Sequence, residues 1–254
     1  IAARRPNQLF GEIRMFQNDM IANYHAVSFI FRQRMSRGLQ ATAHYTWSRT
    51  RDQTDHSNNN SGRSTQDPYN PDADYGPAYW DVPHRFVASY VYELPFFRDA
   101  DNPALRYALG GWQVSGITTI ESGRPFDVRI GTDVANTGHM PQRPDLIGTP
   151  SENCGDVLVN CISADAFRMP APFTYGNTPR NILRGPGRVT TDLSLAKNFQ
   201  IRGRTQFQFR VEAFNLFNRA NFANPNATFG TANFGRITSA DSMRQIQIGA
   251  KILF

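Results

Sequence analysis

Three groups of residues in this 254-residue chain have types and spacings that could do chemistry. The first is acidic: Asp67, Asn70, Asp72 and Asp74 set oxygen side chains along one short stretch, with Asp81 further on. Alternating oxygens can hold calcium, but the glycine that an EF-hand loop needs at its sixth position is replaced by Tyr75. The stretch is expected to be a solvated loop without a metal. The second group is Cys154 and Cys161, in one polar segment. A pair this close reads as a loop disulfide in an oxidising compartment, and two cysteines alone cannot make a four-thiolate zinc site. The third is histidine: His25, His44, His56, His84 and His139 stand without a Ser or Cys partner in a diagnostic motif. G-x-S-x-G, H-E-x-x-H and phosphate-cradling glycine loops are missing from the sequence. The expectation is no catalytic residue, no cofactor and no metal site.

Charge gives a weaker lead. The net charge is +6, which raises nucleic acid as a partner. The basic residues are dispersed, however, with no run of five, so no nucleic-acid partner is expected. Mean hydropathy is −0.49, and no apolar run is long enough for a spanning helix. That does not exclude a membrane barrel, in which only every second strand residue meets lipid.

The elements that would position these residues alternate with period two, the mark of strands. In Leu39–Ser48, Leu39, Ala41, Ala43, Tyr45 and Trp47 point one way, and Gln40, Thr42, His44, Thr46 and Ser48 the other. About ten residues cross a bilayer as a tilted strand. The same alternation marks His25–Arg34, Arg85–Leu94, Trp112–Glu121 (beginning as early as Tyr107), Thr205–Ala213 and Gln245–Phe254. It is weaker in Val189–Phe199 and least certain in Leu9–Phe16, giving about eight strands. In the last strand Ile246, Ile248, Ala250, Ile252 and Phe254 share the apolar face, with Leu253 as the exception. The charged residues expected to face the lumen, with His44, are Arg32, Arg34, Arg85, Glu93, Glu121, Arg210, Glu212 and Lys251. They are expected to satisfy one another across neighbouring strands, with holding a plug or guiding a solute as the alternative role.

The connections sort by length. Met35–Gly38, Pro95–Arg106 and Gln200–Arg204 are the shorter ones; Arg49–His84, Ser122–Arg188 and Asn218–Arg244 are long. Only the first, Gln17–Tyr24, breaks the alternation. Short periplasmic turns against longer outside loops are the habit of an outer-membrane barrel, and this parity puts Phe254 at the periplasmic rim. Trp47 and Phe86 then fall near the outer rim, and Tyr92, Trp112 and Phe254 near the inner one, where amphipathic rings prefer to sit. A soluble β-sandwich is the competing fold, with the aromatics as core.

Several blocks carry a family resemblance. His84–Phe96, Gly110–Gly116, Asn181–Gly187, Phe209–Asn218 and Arg244–Phe254, in that order, resemble the barrel of Oar-like TonB-dependent outer-membrane transporters. The resemblance implies a 22-stranded barrel with an N-terminal plug. It also implies energy coupling through the TonB system, and a C-terminal aromatic strand that the barrel-assembly machinery reads. Residues 1–254 would then be the C-terminal part of an all-β, antiparallel transmembrane barrel whose plug is not in this chain. The start at Ile1, without Met or leader, also reads as a fragment. The implied function is binding of an unknown solute at the outer loops and its passage through the lumen, in the bacterial outer membrane and in contact with its lipid. Two other readings compete: a self-contained small barrel with a structural or adhesive role, and an outer-membrane enzyme with residues at the rim.

Overall fold

The structure is a computed structural model, which describes residues 9, 18–53, 65–150, 158–159, 161–203 and 205–254. Seven long strands form an antiparallel meander: β1 Ala22–Ser36, β2 Leu39–Asp52, β3 His84–Glu93, β4 Trp112–Glu121, β5 Arg188–Arg202, β6 Thr205–Phe214 and β7 Gln245–Leu253. Each pairs with its neighbours in sequence, and the short strand Gly76–Pro77 adds to β2. Among the described residues the sheet is not closed: β1 is paired only to β2, and β7 only to β6. Strands of nine or ten residues at β3, β4, β6 and β7 match the length that spans a bilayer.

The register joins the apolar sets into one surface. Phe29 lies opposite Tyr45, Tyr45 opposite Phe86, and Phe86 opposite Ile120. The row continues from Ile120 to Val189; further down the wall Leu195 pairs with Val211, and Val211 with Ile248. A slip of one residue in any pair would turn half of this face over. Much of it is uncovered by the chain: Phe29 is 64% exposed and Ile248 67%. The opposite face carries Ser28, Thr42, Ser89, Ser115, Ser194, Gln208 and Gln247, but Ile30, Val87, Val91 and Ile117 interrupt it.

Seven of the eight expected strands are present, with different ends. β1 begins at Ala22 and β5 runs on to Arg202, so the weakest of these patterns lies in one of the two longest strands. The expected Leu9–Phe16 strand lies outside the described residues apart from Leu9, which is in a turn. A correction falls at Tyr107. It does not open β4 but sits in helix α1, Pro103–Leu109. Pro103 at the first helical position and the Asn102 side chain, which accepts from the Ala104 N–H at 2.9 Å, start a helix there.

The buried core is not in the wall. It lies in the long connections at the opposite end from the β1–β2 turn, where Phe126, Val128, Cys161, Ile162, Ala166, Phe167, Leu183 and Ile237 pack together. Phe167, Phe229 and Phe234 add mutual ring contacts at 5.5–6.1 Å. Short pairs tie this cap together: Pro125–Phe126 with Leu183–Arg184, Asp145–Leu146 with Phe167–Arg168, and Arg129–Ile130 with Thr228–Phe229. The described parts of the long connections are therefore a folded layer.

Candidate functional site: the loop cap and the polar face

Three arginine–aspartate pairs clamp the cap, one of them directly to the wall. Arg180 pairs with Asp52, the last residue of β2, and its Nε donates to the Asp74 carbonyl at 2.7 Å. Arg143 pairs with Asp74 and donates to the Thr178 carbonyl at 2.8 Å. Arg184 meets Asp81 at 2.7 Å and also reaches the Gly123 carbonyl. The three aspartates are 1–3% exposed. Burial holds the Arg180 guanidinium down to about 10, so it is still a cation at neutral pH. Charges this deep are tolerated only when paired and hydrogen-bonded.

The acidic stretch is thus corrected. Asp74 and Asp81 are not on a solvated loop: Asp74 accepts the Gln66 N–H at 2.5 Å and Asp81 the Thr50 N–H at 2.6 Å, besides their arginines. Asp72 accepts from the Gln53 amide at 2.8 Å, and Asp67 from the Tyr69 N–H at 2.9 Å. Among the described residues, no group of three His, Cys, Asp or Glu is arranged to hold a metal. Cys161 is fully buried in the cap core and disulfide-bonded; Cys154 lies outside the described residues.

The histidines are dispersed. His84 and the Tyr45 hydroxyl share a hydrogen bond of 2.8 Å, the His139 ring contacts the Thr65 carbonyl at 3.0 Å, and His25 lies opposite Arg49. His44 sits opposite Ile30 and Val87 on the mainly polar face. His56 is outside the described residues.

The register puts Arg32, Arg85, Glu93, Glu121, Arg210, Glu212 and Lys251 on that same face. Arg34 lies in the irregular stretch before Ser36, where the pairing with β2 shifts. Among the described residues, mutual satisfaction across strands holds for one pair, Arg85 and Glu121 at 2.9 Å. Arg210 and Glu212 pair along one strand at 3.4 Å, and Glu93 turns to Arg98 in the following connection at 3.6 Å. A hollow of about 360 Å³ on this face touches Gln40 and Thr42 of β2 and also Glu212 of β6. Five neighbouring strands can share one hollow only if the sheet curls around it, as a barrel wall does. A second hollow, of about 410 Å³, opens in the cap between Tyr79, Phe126, Asp127, Arg129, Asn226 and Thr228.

Sequence reasoning missed the arginines of the clamps, because partners more than 60 positions apart leave no periodic signal. One trace was legible: the block Asn181–Gly187 contains Arg184, and Asn181 donates its side-chain amide to the Pro77 carbonyl at 2.8 Å. The block Phe209–Asn218 also gains a role. Asn215 and Asn218 have positive φ; the Asn215 N–H donates to Asp192 at 2.8 Å and the Arg244 N–H to Asn218 at 2.9 Å. These asparagines turn the chain from β6 into the cap and back to β7.

A curled, sequential antiparallel wall, apolar on one face and mainly polar on the other, with short turns at one end and long connections at the other, defines a transmembrane β-barrel protein. The model of the outer membrane beta barrel domain family matches residues 1–247, and the chain belongs to that family. Its place is accordingly the bacterial outer membrane. Comparison with curated proteins and with solved structures finds no match.

Proposed function

We propose that this chain is part of the wall and outer cap of an Oar-like TonB-dependent receptor, which binds a solute at the cap and passes it through the lumen of a larger, 22-stranded barrel. The observation that carries this reading is the open meander. Among the described residues β1 and β7 each leave one ladder edge unpaired, and an unpaired edge has no place in lipid, where every backbone group needs a partner. Further strands would supply it. The folded cap supports a binding role, since a rigid scaffold for polar loop residues is what recognition requires. The hollow beside Tyr79, Asp127 and Arg129 is the candidate entry site. In this reading the plug contacts the polar face near Arg85, Glu121, Arg210 and Glu212, and the barrel-assembly machinery engages the strand bearing Ile246, Ile248, Ala250, Ile252 and Phe254. The reading gives the protein no enzymatic role.

The test uses the native polypeptide extracted from outer membranes. The periplasmic domain of TonB, immobilised, should retain it, and the folded species should be much larger than the 28.6 kDa of this chain. A heat-modifiable barrel of this chain's own size, with no affinity for TonB, would overturn the proposal and favour the small self-contained barrel.

A further inference from the structure

We propose that the connection from β3 to β4, residues 94–111, is a foot that rests in the headgroup–acyl boundary of the bilayer at the short-turn end of the wall. That end faces the periplasm by the barrel rule, so the leaflet is the inner one. The inference needs only the outer-membrane wall and is independent of transport.

The foot leans on the lipid side of the wall, not into the lumen. Lys197 lies opposite Trp112 and Phe209, on the apolar face of β5, yet it is only 3% exposed. Its ammonium donates to the Gly110 carbonyl and lies 5.7 Å from the Trp112 ring centroid and 5.1 Å from that of Phe199. An ammonium on a lipid-facing surface needs such cover. Gly111, at φ +74°, makes the turn that delivers the carbonyl, a conformation L side chains rarely adopt. From the same connection, Tyr107 of α1 packs on Phe199 of β5 at 5.5 Å.

With its inner side so fastened, the foot presents Phe96, Phe97, Leu105 and Leu109 outward, each more than 40% exposed. Arg98, Asp99, Asp101 and Arg106 are interspersed among them. An apolar surface mixed with charge, short in extent and joined to the lipid-facing face through Phe199 and Trp112, matches the chemistry of the membrane boundary. A second copy of the chain, or another protein, would have no reason to continue the lipid face.

The experiment places nitroxide labels on the native protein at Leu105→Cys, Phe96→Cys and Asp101→Cys, one at a time. Cys161 is already disulfide-bonded and does not compete for label. Each variant is reconstituted in phosphatidylethanolamine–phosphatidylglycerol vesicles, with heat-modifiable migration as the check on folding. Labels at 105 and 96 should collide several-fold more with oxygen than with a water-soluble nickel chelate, relative to the label at 101. Equal nickel access at all three positions would put the foot in water and overturn the proposal. Loss of access to both agents at 105 and 96 would mean a protein partner, and would overturn it too.

Discussion

Arg180 and Asp52, 128 positions apart, meet as a buried ion pair where the end of β2 enters the cap. Removing one partner leaves the other as an uncompensated charge, which costs about 3–5 kcal/mol. Asp52→Ala and Arg180→Leu should each loosen the cap while leaving the wall intact. Protease nicking in residues 65–85 and 122–187, with unchanged protection of β3, β4, β6 and β7 in hydrogen exchange, is the expected result. Equal loss of protection in cap and wall would contradict it.

The ion pair on the wall should behave differently. Arg85 is 58% exposed at its side chain where it meets Glu121, and such pairs contribute at most about 1 kcal/mol. Glu121→Gln should barely move the urea midpoint of the reconstituted protein. Asp81→Asn, by contrast, leaves Arg184 without its carboxylate partner and should lower the stability of the cap measurably. The comparison is made side by side in one lipid.

At Asp133 the pH dependence has a definite sign. Burial pushes its carboxyl up, but the N–H groups of Gly138 and Thr137, the Gln142 amide and the Asn136 backbone N–H together hold it below the ordinary 3.8. A depressed carboxyl contributes stability that is present above the unfolded value and lost as pH falls through the folded one. The segment around residues 133–142 should therefore hold its order from neutral pH to about 4 and lose it below. Asp133→Asn should remove that acid step, read as local hydrogen exchange against pH.

Gly116 sits under the ring of Tyr90 on the apolar face. A Cβ there would lie 2.7 Å from the Tyr90 hydroxyl, 2.8 Å from its Cζ and 3.0 Å from the Asp192 carbonyl. Gly116→Ala should destabilise the wall by about 1–3 kcal/mol, as overpacking does. Tyr90→Ala in the same chain should restore part of this loss, because the carbonyl stays close. Denaturant unfolding from vesicles measures both variants; absence of any coupling would refute the stacking.

The wall was legible from sequence because its cause is local. In Leu39–Ser48 the choice of every second residue answers to lipid or to a polar interior, and period two is visible without knowing any partner. The same holds for Thr205–Ala213 and for the terminal strand. Turns were legible for the same reason: Arg37 and Gly38 carry the positive φ that reverses β1 into β2.

Where the cause is not local, reading failed. Asp74 and Asp81 look like solvated acids in a polar stretch, and nothing near them in sequence announces Arg143 or Arg184. Lys197 breaks the apolar pattern of β5, and only folding brings the Gly110 carbonyl over it. The cap core joins Phe126, Phe167, Leu183 and Ile237 from connections with no periodicity. Alternation along single strands was enough to place the strands of the wall, and the lengths between them showed the sorting of its loops. Register, curl, the buried clamps and the covered lysine came only with the tertiary structure, since they depend on which distant segments share low-dielectric space, and chain order does not encode that directly.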